Sequence, residues 1–216
     1  MAALTFRSDP TMLEKRLLPV VVLEDEEHAE PLAEALLAAG LDVIELTLRT
    51  EAALEGIRRI RERFPDMHVG AGTVLDPEVV PRLADMGVEF AVAPGISAPV
   101  VEAAQKAGME IFPGVTSPTE IEMARALGVP TLKFFPAEPL GGVPMLKALI
   151  GPYGHTGLRF VPTGGINAEK ASEYAKLGAV AAIGGSWFVS PALIKEGRFD
   201  TITQMTREAI DRIANA

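Results

Sequence analysis

The sequence predicts an α/β fold of the (β/α)₈ or TIM-barrel kind, a single domain spanning residues 1–216 with a short helix ahead of the first strand. Three observations carry the prediction. Short apolar runs recur at intervals near twenty-five residues, each followed by a stretch with helical spacing. Several runs are rich in Val, Ile or Phe without clean alternation, as expected of parallel strands covered on both faces. No Pro/Ser-rich linker or block of charge divides the chain. Counting units does not prove closure, so a doubly wound open sheet is the runner-up.

The strand candidates, in order, are Leu17 to Leu23, Val43 to Leu48, His68 to Thr73, Glu89 to Ala93, Glu110 to Pro113, Thr131 to Phe135, Arg159 to Thr163 and Val180 to Ile183. Between them, segments such as His28–Ala39, Glu51–Arg63, Pro77–Met86 and Pro118–Leu127 place Leu, Ile, Met or Ala at three- and four-residue intervals. Asp76-Pro77 and Ser117-Pro118 read as an N-cap followed by proline in the first helical turn. Gly40, Gly87, Gly108, Gly128 and Gly178 sit where five helices should stop.

Composition narrows the function. Twenty Lys and Arg stand against 29 Asp and Glu, a formal charge of −9, and no basic cluster stands out. Nucleic acid and anionic membrane are therefore poor partners, since both need a concentrated cationic face. The absence of cysteine removes disulfides, thiolate metal sites and cysteine nucleophiles. Met1 to Pro10 carries Arg7 and Asp9 and lacks an apolar signal core, and no run reaches the ~20 residues needed to span a bilayer. A soluble cytoplasmic protein is expected.

Lys133 breaks the apolar pattern most sharply. It lies inside Thr131-Leu132-Lys133-Phe134-Phe135-Pro136, whereas the six other lysines fall in helical or polar contexts. Strand alternation puts Thr131, Lys133 and Phe135 on one face, with Leu132 and Phe134 packing under the helices, so Lys133 should point into the barrel. A buried amine that gives up its proton is the reagent for attacking a ketone and forming a Schiff base. The alternative is a lysine neutralised by a carboxylate merely to complete the core.

The second break is Glu45-Leu46-Thr47-Leu48-Arg49, whose period places Glu45, Thr47 and Arg49 on one inward side. Glu45, deeper, could transfer protons, and Arg49 offers a planar fork matched to a substrate carboxylate. An internal Glu45–Arg49 ion pair is the bland alternative. Third come Pro162-Thr163-Gly164-Gly165-Ile166-Asn167 and Gly184-Gly185-Ser186, two glycine-rich strand ends. Glycines let backbone N–H groups approach an anion, and the ends of the seventh and eighth strands are where barrels commonly bind phosphate.

Other candidates fail. Val69-Gly70-Ala71-Gly72-Thr73-Val74-Leu75 starts like a dinucleotide fingerprint but has Leu75 for the third glycine, so it reads as a strand delivering Thr73 to the rim. His28, His68 and His155 make no metal-ligand spacing, so neither a metal nor another cofactor is expected. Trp187 is read as packing.

These segments, with Leu18-Pro19-Val20-Val21-Val22 and Phe135-Pro136-Ala137-Glu138, resemble the 2-keto-3-deoxy-6-phosphogluconate (KDPG) aldolases, in order from about Leu13 to the C-terminus. The resemblance implies a class I aldolase of the Entner–Doudoroff pathway, forming pyruvate and glyceraldehyde 3-phosphate from a phosphorylated keto acid. Members also cleave 4-hydroxy-2-oxoglutarate and are typically homotrimers. Carried over by position, Lys133 becomes the Schiff-base lysine, Glu45 the general acid/base, and Arg49 and Thr73 the holders of the pyruvate carboxylate. Pro94 and Phe135 become pocket walls, and Gly164, Gly165, Gly184, Gly185 and Ser186 the phosphate cradle. Thr163 also matches; relatives acting on the galactonate epimer tend to carry an apolar residue there, so the gluconate substrate is favoured. The rivals are another phosphometabolite barrel enzyme that uses Lys133 only electrostatically, and a binding protein without turnover.

Overall fold

A computed structural model of the chain describes residues 11–216. The segment Met1 to Pro10, read above for a leader, lies outside the described residues, and a 3₁₀ turn at Thr11–Leu13 occupies the place of the expected N-terminal helix. Strands and helices then alternate: β1 Leu17–Val21, α1 Ala29–Ala38, β2 Val43–Thr47, α2 Ala52–Arg63, β3 His68–Gly72, α3 Val80–Asp85, β4 Phe90–Val92 and α4 Ala98–Lys106. There follow β5 Glu110–Phe112, β6 Gly114–Val115, α5 Pro118–Ala126, β7 Thr131–Phe134, α6 Gly142–Tyr153, β8 Arg159–Pro162, α7 Ala168–Ala175, β9 Ile183–Gly185, α8 Pro191–Lys195 and α9 Phe199–Ala214.

All strand pairings are parallel. They form one curled sheet in the order β5-β4-β3-β2-β1-β9 and a second in the order β6-β7-β8. The eight predicted runs thus become nine strand segments. The fifth is cut by Pro113, which has no N–H to give the ladder, although its carbonyl still accepts from Lys133 N at 2.9 Å. Among the described residues, the β8 and β9 regions are joined by two isolated bridges, Phe160 to Val180 ahead of β9 and Thr163, just past β8, to Gly184. The last strand also starts later than the sequence suggests, at Ile183, where β1 offers partners from Leu17 to Pro19.

The local chemistry explains the helix ends. Ser117 and Glu120 form a capping box at the start of α5. Asp76 accepts from Glu78 N at 2.9 Å ahead of a 3₁₀ turn, Pro77–Val79, that leads into α3. Gly40, Gly87, Gly108 and Gly128 all take the left-handed conformation that closes a helix (φ +72° to +84°). Gly178 does not: α7 ends at Ala175 and the chain turns through Lys176 and Leu177 instead.

The core is continuous from the strands to the inner faces of the helices. Phe90 and Phe112 pack on neighbouring strands at 5.6 Å between ring centroids, and the Phe90 ring fills the space a side chain at Gly70 would need. His68 sits at the start of β3 beside Glu89, at 2.6 Å, and His155 lies in a turn before β8, both at the N-terminal end of the strands. Among the described residues no helix is long and apolar enough to cross a membrane.

Candidate active site

The C-terminal ends of the strands gather the polar residues that the apolar pattern cannot absorb. Glu45, the middle residue of β2, is 1% exposed, and Lys133, the third residue of β7, is 6% exposed. Their side chains meet across the sheets, with Lys133 Nζ 3.8 Å from Glu45 Oε1. That is an ion-pair separation rather than a hydrogen bond, and both carboxylate oxygens lack a hydrogen-bond partner. Burial pushes the Glu45 carboxyl above its ordinary value, against the opposing pull of Lys133 and then Arg49. A buried carboxylate with both oxygens unsatisfied is the form of group that accepts a proton readily.

Arg49 lies two residues beyond the end of β2, so its position is set by the turn rather than by strand alternation. Its Nε donates to Thr47 Oγ1 at 3.3 Å, and Thr47 Oγ1 donates to the Val21 carbonyl at 2.9 Å. The inward partner of Glu45 is Lys133, so the alternative of a Glu45–Arg49 ion pair gives way to a Glu45–Lys133 pair among the described residues.

Lys133 also sits over the Phe135 ring, with Nζ 5.0 Å from its centroid, so that ring forms one wall beside the amine. On the other side, Gly114 pairs in register with Lys133. Gly114 must be glycine because a Cβ there would lie 2.0 Å from the Pro94 carbonyl oxygen. Pro94, Gly114 and Lys133 therefore run side by side across three neighbouring strand ends. Thr73, one residue past β3, has φ +58°. For a β-branched residue that left-handed conformation costs on the order of 1–3 kcal/mol and is characteristic of functional positions.

The glycine-rich ends lie next door. Gly164 and Gly165 have φ of +104° and +77°, and a Cβ on Gly164 would touch the Phe135 ring at 3.3 Å. This contact joins the loop to the wall beside Lys133. Thr163 is buried and bridges to Gly184, and a Cβ at Gly184 would fall 2.2 Å from Thr163 Oγ1. A Cβ at Gly185 would fall 1.8 Å from the Trp187 ring. Ser186 is exposed just beyond β9. Asn167 caps α7 by accepting from Lys170 N at 3.0 Å, which sets that helix's N-terminus behind the Gly164-Gly165 turn.

Sequence reasoning missed Gly72 and Glu138. A Cβ at Gly72 would lie 2.2 Å from Glu45 Oε1, so this glycine makes the space the carboxylate occupies. The available signal was a glycine inside a strand, which marks close approach of another group. Glu138 braces the Gly164-Gly165 turn, and its signal was a carboxylate just after the strand that carries Lys133.

Residues 9–205 match the family of KDPG and KHG aldolases. The 2-dehydro-3-deoxy-phosphogluconate aldolase of Dickeya dadantii is 42% identical over 194 residues, 90% of each chain. The KHG/KDPG aldolase of Escherichia coli is 41% identical over 195 residues, 90% of this chain and 91% of that one. Among solved structures, the KDPG aldolase of Legionella pneumophila, with pyruvate captured at low pH as a covalent carbinolamine intermediate, superposes with a TM-score of 0.88 at 38% identity, covering 93% of this chain and 97% of that one.

Proposed function

The chain belongs to the KDPG and KHG aldolase family, and we propose that Lys133 is the residue through which it forms a covalent imine with its substrate. The enzyme is a class I aldolase that cleaves 2-dehydro-3-deoxy-6-phosphogluconate to pyruvate and glyceraldehyde 3-phosphate, and 4-hydroxy-2-oxoglutarate to pyruvate and glyoxylate. The observation that carries the assignment is the buried Lys133–Glu45 pair, 3.8 Å apart, with both Glu45 oxygens unsatisfied.

The roles follow from the chemistry each group can perform. Lys133 Nζ, as the free amine, attacks the C2 ketone, and the carbinolamine loses water to give an iminium. Glu45 takes the C4 hydroxyl proton, directly or through water. The C3–C4 electron pair then moves into the iminium, giving an enamine and releasing glyceraldehyde 3-phosphate. The proton on Glu45 returns to C3 of the enamine, and hydrolysis frees pyruvate and Lys133. The raised proton affinity of Glu45 suits both transfers.

Arg49 and Thr73 hold the pyruvate carboxylate, and Pro94 and Phe135 wall the pocket. Gly164, Gly165, Gly184, Gly185 and Ser186 hold the phosphate, whose binding energy serves to orient the distant reacting bond, and Thr163 also contacts the substrate. Borohydride reduction with pyruvate followed by peptide mass spectrometry tests the assignment. A reduced pyruvate adduct on the Lys133 peptide is expected; pyruvate binding without an adduct there would overturn it.

We read the two curled sheets as one closed (β/α)₈ barrel in a single domain. Three features support closure: the chain continuity of β5 and β6 through Pro113 and the two bridges from β8 to the last strand. A cytoplasmic homotrimer completes the reading, and light scattering should return three times the 22.9 kDa chain mass.

A further inference from the structure

The turn that joins β8 to α7 is fastened from one side by a single acidic residue. Glu138 follows β7, and its N–H donates to the Gly164 carbonyl at 3.0 Å, beside an Ala137 N–H that donates to the Thr163 carbonyl at 2.7 Å. Its side chain reaches α7. Oε1 accepts from Tyr174 Oη at 2.8 Å, and Oε2 is ion-paired with Lys170 Nζ. Lys170 and Tyr174 are four residues apart and so project from one face of the helix. Between these two attachments, Gly165 lies directly on the Glu138 stem; a Cβ at Gly165 would be 2.8 Å from Glu138 Cβ.

One residue therefore ties together the Gly164 backbone, the Gly165 turn and the first two turns of α7. Burial alone would raise the Glu138 carboxyl, but the hydrogen bonds from Lys170 and Tyr174 outweigh it and hold the group below its ordinary value. The side chain is thus a carboxylate whose charge is matched by Lys170. A carboxylate next to an anion site would otherwise repel the ligand.

We propose that Glu138 is a positioning residue for the phosphate end of the substrate, holding the Gly164-Gly165 turn and the N-terminus of α7 in the geometry that receives the anion. The inference rests on the reading of residues 164–165 and 184–186 as the phosphate cradle. It makes no demand on the Lys133 chemistry, since Glu138 makes its side-chain contacts with Lys170 and Tyr174.

The test compares 2-dehydro-3-deoxy-6-phosphogluconate with the same sugar acid lacking the phosphate, in the full-length enzyme. Glu138→Ala should raise KM for the phosphorylated substrate about tenfold or more while kcat stays within about threefold. kcat/KM for the unphosphorylated substrate and borohydride trapping with pyruvate should both be unchanged. Glu138→Gln, whose amide oxygen still accepts from Tyr174, should recover most of the loss. Should Glu138→Ala fail to fold, Tyr174→Phe removes one hydroxyl and should shift the same selectivity ratio about threefold.

A parallel fall in kcat/KM for both substrates would make Glu138 a general scaffold residue and overturn the proposal, as would full retention of phosphate selectivity in Glu138→Ala. If the wild-type enzyme itself cleaves the two substrates equally well, the phosphate-cradle reading fails, and the proposal with it.

Discussion

Gly72→Ala should give an enzyme that folds normally and turns over slowly. Gly72 has no positive φ, so alanine fits the backbone, and a Gly→Ala change at a compatible position gains about 0.4–1 kcal/mol through the unfolded chain. The new methyl, however, would sit 2.2 Å from Glu45 Oε1 and 2.9 Å from Glu45 Cγ and Cδ. Ordinary contact requires roughly 3.5 Å, so the carboxylate must withdraw by about 1 Å. Its oxygens have no hydrogen bonds to break, and the side chain can swing at a cost of roughly 0.5–1.5 kcal/mol. The two stability effects nearly cancel, so Tm should stay within about 4 °C of wild type.

Catalysis has no such compensation. A misplacement of about 1 Å in a group that transfers protons costs on the order of 10²-fold in rate. Pyruvate release, followed through a coupled lactate dehydrogenase assay, should show kcat reduced by about that factor. Trapping of the pyruvate imine should persist, since the methyl is directed at Glu45 rather than at Lys133. A kcat within threefold of wild type at normal Tm would refute the idea that the position of Glu45 limits turnover.

Lys133→Ala should remove turnover and the borohydride-trappable adduct together; retention of either contradicts the imine assignment. On the proposed role of Glu45, its raised carboxyl sets the sign of the acid limb in kcat: a base must be ionised, so the rate should fall as pH drops through a value above the ordinary 4.5. In Glu45→Gln that limb should vanish from a much lower plateau, and its survival would assign it to another group. Gly184→Ala should behave differently from Gly72→Ala. Its methyl would meet Thr163 at 2.2 Å from Oγ1 and 3.1 Å from Cβ, on a residue held at both backbone ends. A stability loss of about 1–3 kcal/mol is expected, with a higher KM for the phosphorylated substrate. Adding Thr163→Ala should recover much of the Tm, and a wild-type Tm in the single variant would defeat the steric argument.

The fold was legible because each strand and helix announces itself locally, through composition, period and caps. Its departures from the sequence reading have local causes too. Pro113 interrupts the fifth strand because it has no N–H, and this was readable in principle. Arg49 lies past the point where the strand stops, so alternation does not reach it, although its Nε still donates to Thr47 Oγ1 on the Glu45 side. Beyond Thr47 the chain turns, with Arg49 N–H donating to the Thr47 carbonyl at 2.8 Å, and the period-two rule no longer applies.

The site divides along a different line. Lys133 and Glu45 stood out because a charge inside an apolar strand violates a local rule, and burying it is costly enough to demand a reason. Gly184 stood out only as one of a glycine pair at a strand end, and Gly72 and Gly114 signal no more than that some group comes close. Their importance is the absence of an atom, and its meaning depends on which group crosses from a neighbouring strand: the Glu45 carboxylate, the Pro94 backbone carbonyl or the Thr163 hydroxyl. Those crossings are fixed by inter-strand register, which the local pattern does not encode. Glu138 is faint for a related reason, since a carboxylate after a strand is ordinary until α7 brings Lys170 and Tyr174 against it. A parallel α/β fold of this kind thus shows the charged residues inside its strands to sequence reading and conceals most of those that hold them in place. Substitutions at the concealed positions separate positioning from chemistry, because they move the reacting groups without removing them.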